Sequence, residues 1–338
     1  MPVPPWPVRR LVVAPLVLLV EIAVVVLSPL LGLLAAAASP LSGGSRPLRV
    51  LGIAVDFAAR HAACTLACLG LWIAAGFGLN IESARTQRAH YAVLRWFVSG
   101  IYRSMVRLAH VEVQVSESEA AEDALTAGRR PVVVLSRHAG EGDSLLVLHQ
   151  LLCRHGRRPR LVLHEALRID PLIDVLGGRL PNRFVDPRGG DTEVEIAAMT
   201  QGIGDDGAVL VFPEGGNFSP ARRRRGIERL ERAGHAEQAA RAREMHHLAA
   251  PRPGGALAAL EAARHADVVY VAHVGVPTGI RETWRLLPTP QTVELRLWHV
   301  GADEIPVDRD EQIAWLFAWW ATIDRWVGER QAQRARRS

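Results

Sequence analysis

Two short polar motifs, each placed directly after an apolar run, carry the side chains best suited to chemistry. His138 and Asp143 follow the apolar run 131–136, and Phe212-Pro213-Glu214-Gly215 follows the apolar run 208–211. A carboxylate this close in sequence to a histidine can fix one imidazole nitrogen and leave the other to accept a proton. The pair needs no Ser or Cys nucleophile if the attacking group is a hydroxyl of the substrate.

The two motifs together resemble the membrane-associated glycerolipid acyltransferases of the lysophosphatidic acid acyltransferase (1-acylglycerol-3-phosphate O-acyltransferase) family. That family's first sequence block is H-x4-D and its third is F-P-E-G. The resemblance implies that His138 is the general base on an acceptor hydroxyl and that Asp143 fixes its tautomer. It also implies direct transfer from acyl-CoA or acyl carrier protein as co-substrate, with no covalent acyl-enzyme, no cofactor and no metal.

The resemblance extends to an acceptor site around the third block, which Glu214 and Gly215 are expected to shape. The family continues this block with Thr-Arg, and its Arg binds phosphate; this chain has Gly-Asn there. Asn217 is therefore a candidate contact, and Arg222 is a candidate replacement for the missing guanidinium. The run of arginines that begins at Arg222 has an equal alternative, a charged surface facing solvent or membrane.

Three further segments resemble the family more loosely. In the stretch 178–188, Arg188 is the expected phosphate contact and Arg183 its alternative, because a guanidinium binds a phosphomonoester in bidentate fashion. Val274-Gly275-Val276-Pro277 corresponds to the fourth block and would shape the substrate channel, or be a plain core strand. The segment 246–255 resembles the H-x-L-x-P-R-x-x-G of a branch that acts on several lysophospholipids.

The N-terminal region is the most apolar part of the chain. Leu11–Ala38 is long enough as a helix to cross a bilayer core of ~30 Å, and Ala62–Leu79 is uncharged. A turn at Ser39–Pro47 would join the two into a hairpin that spans the membrane or enters one leaflet. The flanking arginines predict that both outer ends face the cytoplasm. A cleaved signal peptide is the competing interpretation of the first run.

The pattern changes twice after the hairpin. Thr86–His110 carries arginines and aromatic residues at helical spacing, which is typical of an interfacial amphipathic helix or of a core helix with one solvated face. From Val111 onward, strands alternate with helices, which predicts an α/β fold. We therefore expect membrane helices in 1–83, an amphipathic helix in 84–110 and an α/β acyltransferase domain in 111–338, with a mixed sheet flanked by helices.

Composition narrows the possible partners. The formal net charge is +5, and all 40 basic residues are Arg, which indicates a GC-rich and hence bacterial genome. Three cysteines give neither a disulfide framework nor a zinc motif. No aromatic-interleaved basic stripe or nucleic-acid module occurs, so the expected partners are a bilayer, a lysophospholipid and an acyl donor, and not nucleic acid.

The sequence thus favours a membrane enzyme with its catalytic domain on the cytoplasmic face of the cell membrane, acting in phospholipid biosynthesis. Two alternatives remain open. The first is an acyltransferase or transacylase with another lysophospholipid or glycolipid acceptor, which the Gly-Asn departure favours. The second and remoter one is a non-catalytic membrane or nucleic-acid binding protein that uses its arginine runs.

Overall fold

A computed structural model describes residues 3–126, 128, 130–140, 142–186, 192–277, 280–287 and 289–336. The described chain has a helical N-terminal region followed by alternating strands and helices. The helices are α1 (Trp6–Val8), α2 (Ala14–Ala38), α3 (Arg46–Ala74), α4 (Ala84–Leu108), α5 (Glu119–Leu125), α6 (Asp143–His149), α7 (Thr192–Thr200), α8 (Pro220–Arg232), α9 (Ala236–Glu244), α10 (Pro253–Ala262), α11 (Ile280–Leu286) and α12 (Arg309–Ala335). The strands are β1 (Val111–Glu117), β2 (Val132–Ser136), β3 (Arg158–His164), β4 (Arg183–Val185), β5 (Gly207–Val211), β6 (Asp267–Val274) and β7 (Gln291–Val300).

The helices α2 and α3 form a hairpin, and each lies in a helical stretch long and apolar enough to cross a membrane. Gly43 and Gly44 in the connection adopt positive φ, which glycine allows without steric cost and which reverses the chain tightly. Glu21 in the first helix meets His61 in the second, with Oε1 and Nδ1 2.6 Å apart. Large apolar side chains of α2 are exposed on the outside of this hairpin, among them Leu16, Leu19, Val26, Leu30 and Leu33.

The second helix of the hairpin differs from its predicted extent. It begins at Arg46, well before the uncharged run that starts at Ala62, and it ends at Ala74. Gly76, Phe77 and Gly78 have positive φ, so the last part of the apolar run forms turns. Arginines in the first half hid this part of the helix, because hydropathy alone does not recognise a helix that carries paired charges.

The hairpin contacts the α/β domain at both of its ends. At the outer end, Arg9 Nη2 lies 2.9 Å from Asp174 Oδ1. At the turn, Arg46 Nε donates a hydrogen bond of 3.2 Å to the carbonyl of Leu287. Since α3 alone, at 29 residues, is about 43 Å long, the hairpin follows one side of the domain.

Helix α4 connects the hairpin to the sheet. The Ser83 hydroxyl caps its start by accepting from the Thr86 N–H at 3.3 Å, which satisfies one of the free amides of the first turn. Tyr91 Oη donates to the carbonyl of Pro159 at 3.1 Å, so one face packs against the domain. Trp96 is 46% exposed, which leaves an aromatic side chain at the outer surface.

The sheet has seven strands in the order β1-β7-β6-β2-β5-β3-β4. Strands β6, β2, β5, β3 and β4 run parallel to one another, and β7 pairs with β6 antiparallel and with β1 parallel. Every residue of β2 and β5 is buried, as their unbroken valine-rich sequences require of strands covered on both faces. Two apolar layers with different helices fill the two faces. The predicted mixed α/β sheet flanked by helices is confirmed.

This topology brings three loops together at the end of the sheet where the carboxyl ends of its central strands lie. Strands β5, β2 and β6 are parallel neighbours, so their carboxyl ends meet there, which is where such sheets bind ligands. The loop after β2 carries His138, and the loop after β5 carries Glu214. The short helix α11, which the sequence analysis did not predict, follows β6.

Candidate active site

His138 and Asp143 form a hydrogen-bonded pair at the end of β2. His138 Nδ1 lies 3.0 Å from both carboxylate oxygens. The imidazole also stacks on the Phe212 ring, with centroids 4.5 Å apart, which fixes its plane. The side chain of His138 is 21% exposed. With Nδ1 held by the carboxylate, Nε2 is the nitrogen free to exchange a proton with a substrate.

Asp143 is an anion held inside the protein. It is fully buried, and Oδ2 accepts hydrogen bonds from the backbone N–H groups of Ala139 at 2.6 Å and Gly140 at 3.1 Å. Burial by itself would raise the pKa of Asp143, but hydrogen bonds and charge from His138 and His273 outweigh it and hold this pKa well below its ordinary value. Asp143 therefore stays ionised and keeps a proton on His138 Nδ1.

Glu214 lies beneath the loops of the site. Its side chain is 2% exposed, and its two oxygens accept from the backbone N–H groups of His138 and Ala249, both at 2.9 Å. The sequence predicts that Glu214 helps to shape the acceptor site. In the structure both of its carboxyl oxygens accept backbone hydrogen bonds, so Glu214 supports the backbone of the loops around His138 and Ala249. Burial raises the pKa of Glu214 to about 7.

The residues after Glu214 form a tight glycine turn beside His138. Gly215 and Gly216 have positive φ, and the Phe218 N–H donates to the carbonyl of His138 at 2.7 Å. Arg222 Nη1 donates to the carbonyl of Gly215 at 3.1 Å. Because the turn is tied to His138 by its backbone, whatever contacts Gly215 and Gly216 is close to the His138–Asp143 pair.

Two guanidinium groups enclose this turn. A Cβ on Gly215 would lie 3.2 Å from Arg252 Nε, and a Cβ on Gly216 would lie 2.8 Å from Arg222 Nη1. Within the described part of the chain, neither arginine has a carboxylate within ion-pair distance. Burial and then the neighbouring Arg222 lower the pKa of Arg252, which reflects positive charge with no anion to balance it. The turn is therefore suited to an anionic group.

Comparison with protein families places this site in a known class. Residues 112–272 match the model of the Acyltransferase family. This part of the chain is therefore similar to acyltransferase domains. The matched segment contains His138, Asp143, Glu214 and both arginines of the glycine turn. No curated protein matches the chain.

The structure places Arg183, the alternative phosphate contact predicted from the second block, away from His138. Arg183 begins β4, the edge strand that lies three strands from β2, or about 14 Å across the sheet. Its Nε lies 3.3 Å from Glu195 Oε2. The structure thus does not bring Arg183 together with His138, because its short strand pairs only with β3. Arg188 lies outside the described residues.

Asn217 and Arg222 lie in the part of the acyltransferase domain where the sequence analysis placed them, on the loop after β5 and the first turn of α8. Arg252 was not assigned a role, although it belongs to the loosely matching segment 246–255. What brings Arg252 to the site is a tertiary contact, since its backbone N–H donates to the carbonyl of Pro213 at 2.8 Å. Sequence spacing does not show such a contact.

Sequence reasoning also missed a buried cation, Arg137, and a buried histidine, His273, behind the His138–Asp143 pair. Arg137 is 3% exposed, and its Nη1 donates to the carbonyl of His273 at 2.5 Å. Burial lowers the pKa of Arg137, while the carboxylates of Glu214, Asp143 and Asp324 oppose that shift. The sequence did contain a signal for both residues, because each is a polar residue at the end of an apolar strand. Arg137 directly follows β2, and His273 is near the end of β6.

No metal centre is found in the part of the chain that the structure describes. None of its His, Cys, Asp and Glu side chains come together in a group of three or more that could hold a metal ion. The expectation of a reaction without metal or cofactor, which came from the resemblance, stays a prediction.

Proposed function

We propose that this protein is a membrane-bound O-acyltransferase that moves a fatty acyl group from acyl-CoA or acyl carrier protein to the free hydroxyl of a lysophospholipid. The proposed acceptor is 1-acylglycerol-3-phosphate, which would give phosphatidic acid. The observation that carries the proposal is the His138–Asp143 pair, whose carboxylate is fully buried and whose imidazole is partly open to solvent. Its position inside an acyltransferase domain supports the same chemistry.

The reaction needs one proton shuttle. His138 Nε2 takes the proton of the acceptor hydroxyl as the oxygen attacks the thioester carbonyl carbon. The tetrahedral intermediate collapses with cleavage of the carbon–sulfur bond, and the imidazolium returns the proton to the leaving thiolate. The products are an ester and a free thiol. Asp143 stabilises the imidazolium and keeps Nδ1 protonated throughout, as the carboxylate does in hydrolase triads.

The arginines at the glycine turn supply the proposed phosphate site. Arg222 and Arg252 come from different elements and meet beside Gly215 and Gly216. A phosphomonoester between them would receive charge-assisted hydrogen bonds from both guanidinium groups. This arrangement offers a substitute for the arginine that the family has where this chain has Asn217.

The hairpin supplies the proposed attachment to the bilayer. Its exposed apolar side chains match a hydrocarbon environment, and both of its ends contact the catalytic domain. We propose that it lies in one leaflet along the domain, which would hold the site at the level of the lipid headgroups. The donors are cytoplasmic, and arginines flank the hairpin, so the domain is proposed to face the cytoplasm.

The experiment is acyl transfer by membranes that contain the protein, with labelled oleoyl-CoA or acyl carrier protein and a panel of lysophospholipids. Wild type is compared with His138→Ala and with a control, His235→Ala, whose side chain is exposed. We expect transfer to 1-acylglycerol-3-phosphate by wild type and control and none by His138→Ala. Undiminished transfer by a folded His138→Ala protein would overturn the mechanism.

The departure at Asn217 favours one second candidate, the same chemistry on a different acceptor. A lysophospholipid whose phosphate is a diester, or a glycolipid, presents less charge than a phosphomonoester. Transfer by wild type to such an acceptor, with no transfer to 1-acylglycerol-3-phosphate, would keep the His138 chemistry and replace the proposed acceptor.

A further inference from the structure

His273 lies immediately beyond the segment that matches the acyltransferase family model. It is the second-last residue of β6, within the apolar sequence Val-Ala-His-Val, and none of its surface is exposed. We propose that His273 is a positioning residue for the catalytic pair: it donates from Nε2 to Asp143 and holds that carboxylate toward His138. This inference rests on the proposed function, since it concerns the same site.

Two polar groups lie close to the imidazole, the carboxylate of Asp143 and the backbone of Arg137. Nε2 lies 3.4 Å from Asp143 Oδ2, a little longer than an ordinary hydrogen bond. Within the described residues, neither Nε2 nor Nδ1 has a partner that meets full hydrogen-bond geometry, and the carboxylate of Asp143 is the acidic group that the ring faces. A buried polar group without a partner is costly, and a plain packing position in an apolar strand favours an aliphatic side chain. The orientation of the ring toward Asp143 therefore points to a specific role.

Complete burial keeps the imidazole of His273 neutral although the ring faces a carboxylate. Asp143 is the anion that it faces, and Arg137 is the cation packed beside it, with Nη1 bound to the carbonyl of His273. Glu214 and Asp324 act on the same Arg137 charge from the neighbouring loop and from α12. Complete burial lowers the pKa of His273. A neutral imidazole has one N–H, and the position of Asp143 places it on Nε2.

The consequence reaches His138 through the shared carboxylate. Oδ2 of Asp143 receives the N–H groups of Ala139 and Gly140 on one side and His273 on another. With these donors in place, the carboxylate has one orientation and a moderated negative charge. Without His273, the carboxylate turns more freely and attracts a proton on His138 more strongly, so that the base is protonated up to a higher pH.

The test uses a matched pair of variants, His273→Gln and His273→Met. The two side chains have similar length and volume, but only the glutamine places an N–H where Nε2 was. We expect His273→Gln to retain kcat within about threefold and His273→Met to lose about tenfold to a hundredfold, with KM for donor and acceptor unchanged. The acidic limb of the pH profile should move to higher pH in His273→Met alone.

A second measurement does not depend on the acceptor or on turnover. Diethyl pyrocarbonate modifies neutral imidazoles, and the rate at His138 can be followed by mass spectrometry of its peptide as pH changes. We expect the midpoint to rise by about half a unit or more in His273→Met, and to stay at the wild-type value in His273→Gln and in a control, His90→Gln, which contacts Thr86 and Arg179. Equal midpoints in all proteins overturn the proposal even if no acceptor is known.

If His273→Met does not fold, a measurement on the wild-type protein alone still tests the proposal. Nitrogen-15 NMR of histidine-labelled protein reports which ring nitrogen carries the proton. We expect His273 as the Nε2–H tautomer at neutral pH, and the Nδ1–H tautomer would overturn the proposal. Equal losses of kcat in the Gln and Met variants, with equal thermal stability, would also overturn it, because packing alone would then explain the residue. Absence of transfer by wild type would count against the proposed function and leave these spectroscopic outcomes unaffected.

Discussion

Glu214 Oε1 accepts a hydrogen bond of 2.9 Å from the backbone N–H of His138, although 76 positions separate the two residues. The loop after β5 thereby fixes the backbone of the loop after β2 at His138. The other oxygen of Glu214 binds Ala249, so that one buried carboxyl group joins three segments. The F-P-E-G motif thus supports the H-x4-D motif through the backbone.

The buried carboxyl of Glu214 predicts a stability that depends on pH. Its pKa rises from an ordinary value of about 4.5 to about 7 through burial, so folding favours the protonated form. The stabilisation is then fully present below pH 4.5 and is lost as pH rises through about 7, with a total of about 3 kcal/mol. Denaturant unfolding of the detergent-solubilised protein at pH 5 and pH 8 measures it.

The control for this prediction is Glu214→Gln, which cannot titrate. We expect its free energy of unfolding to change less than that of wild type between the two pH values, by about the same 3 kcal/mol. A pH dependence shared equally by the two proteins would assign it to other groups. The variant should also be less active, because its amide N–H₂ cannot accept the second backbone hydrogen bond.

Asp143→Asn should abolish most of the activity without unfolding the protein. The asparagine amide can donate to His138 Nδ1, which would place the proton on Nε2 and remove the base. Loss of kcat by about 10³–10⁴-fold is expected, as for the equivalent change in a hydrolase triad. Kinetics at saturating acceptor measure it, and a fall of less than about tenfold would mean that Asp143 does not control the tautomer.

Arg222→Ala and Arg252→Ala should each weaken binding of an acceptor that carries a phosphomonoester. Each variant loses one charge-assisted contact of about 1.5–3 kcal/mol, so KM for that acceptor should rise about tenfold to a hundredfold. The matched control is Arg224→Ala, an exposed arginine on the same helix that pairs with Glu228 at 3.9 Å.

An acceptor without phosphate separates this effect from a general loss of function. Transfer to a monoacylglycerol, measured with the same three variants, should be affected little by any of them. Equal losses on both acceptors, or an equal loss in Arg224→Ala, would show that the pair at the glycine turn does not recognise phosphate.

A single cysteine introduced into the hairpin turn tests the proposed position in one leaflet. Ser42→Cys in a Cys153→Ser background should react with an impermeant maleimide in inverted membrane vesicles and not in sealed right-side-out vesicles. The reason is that the turn contacts the catalytic domain through Arg46 and Leu287 and so lies on the same side. Val307→Cys, at a site on the domain that is 82% exposed, provides the cytoplasmic reference. Reaction of the Ser42→Cys protein in right-side-out vesicles alone would mean that the hairpin crosses the membrane.

The sequence by itself determined the buried central strands and the local part of the site. The unbroken apolar runs that became β2 and β5 are strands because burial on both faces requires such residues. Ser118, a residue type typical of helix N-caps, caps α5 with its hydroxyl accepting from the Ala121 N–H at 3.2 Å. His138 and Asp143 are close because five positions at a strand end and helix start place them in one turn, a relationship that short-range geometry decides.

Tertiary structure decided what surrounds that pair. The order of strands brings β5 and β6 to either side of β2, and only that order lets Glu214 support His138 and lets His273 reach Asp143. The same order places Arg183 on the far edge strand, away from His138, whereas Arg252, to which the sequence analysis gave no role, lies at the glycine turn. These contacts depend on how crossover connections arrange parallel strands, and no periodicity within a single segment of sequence contains that information.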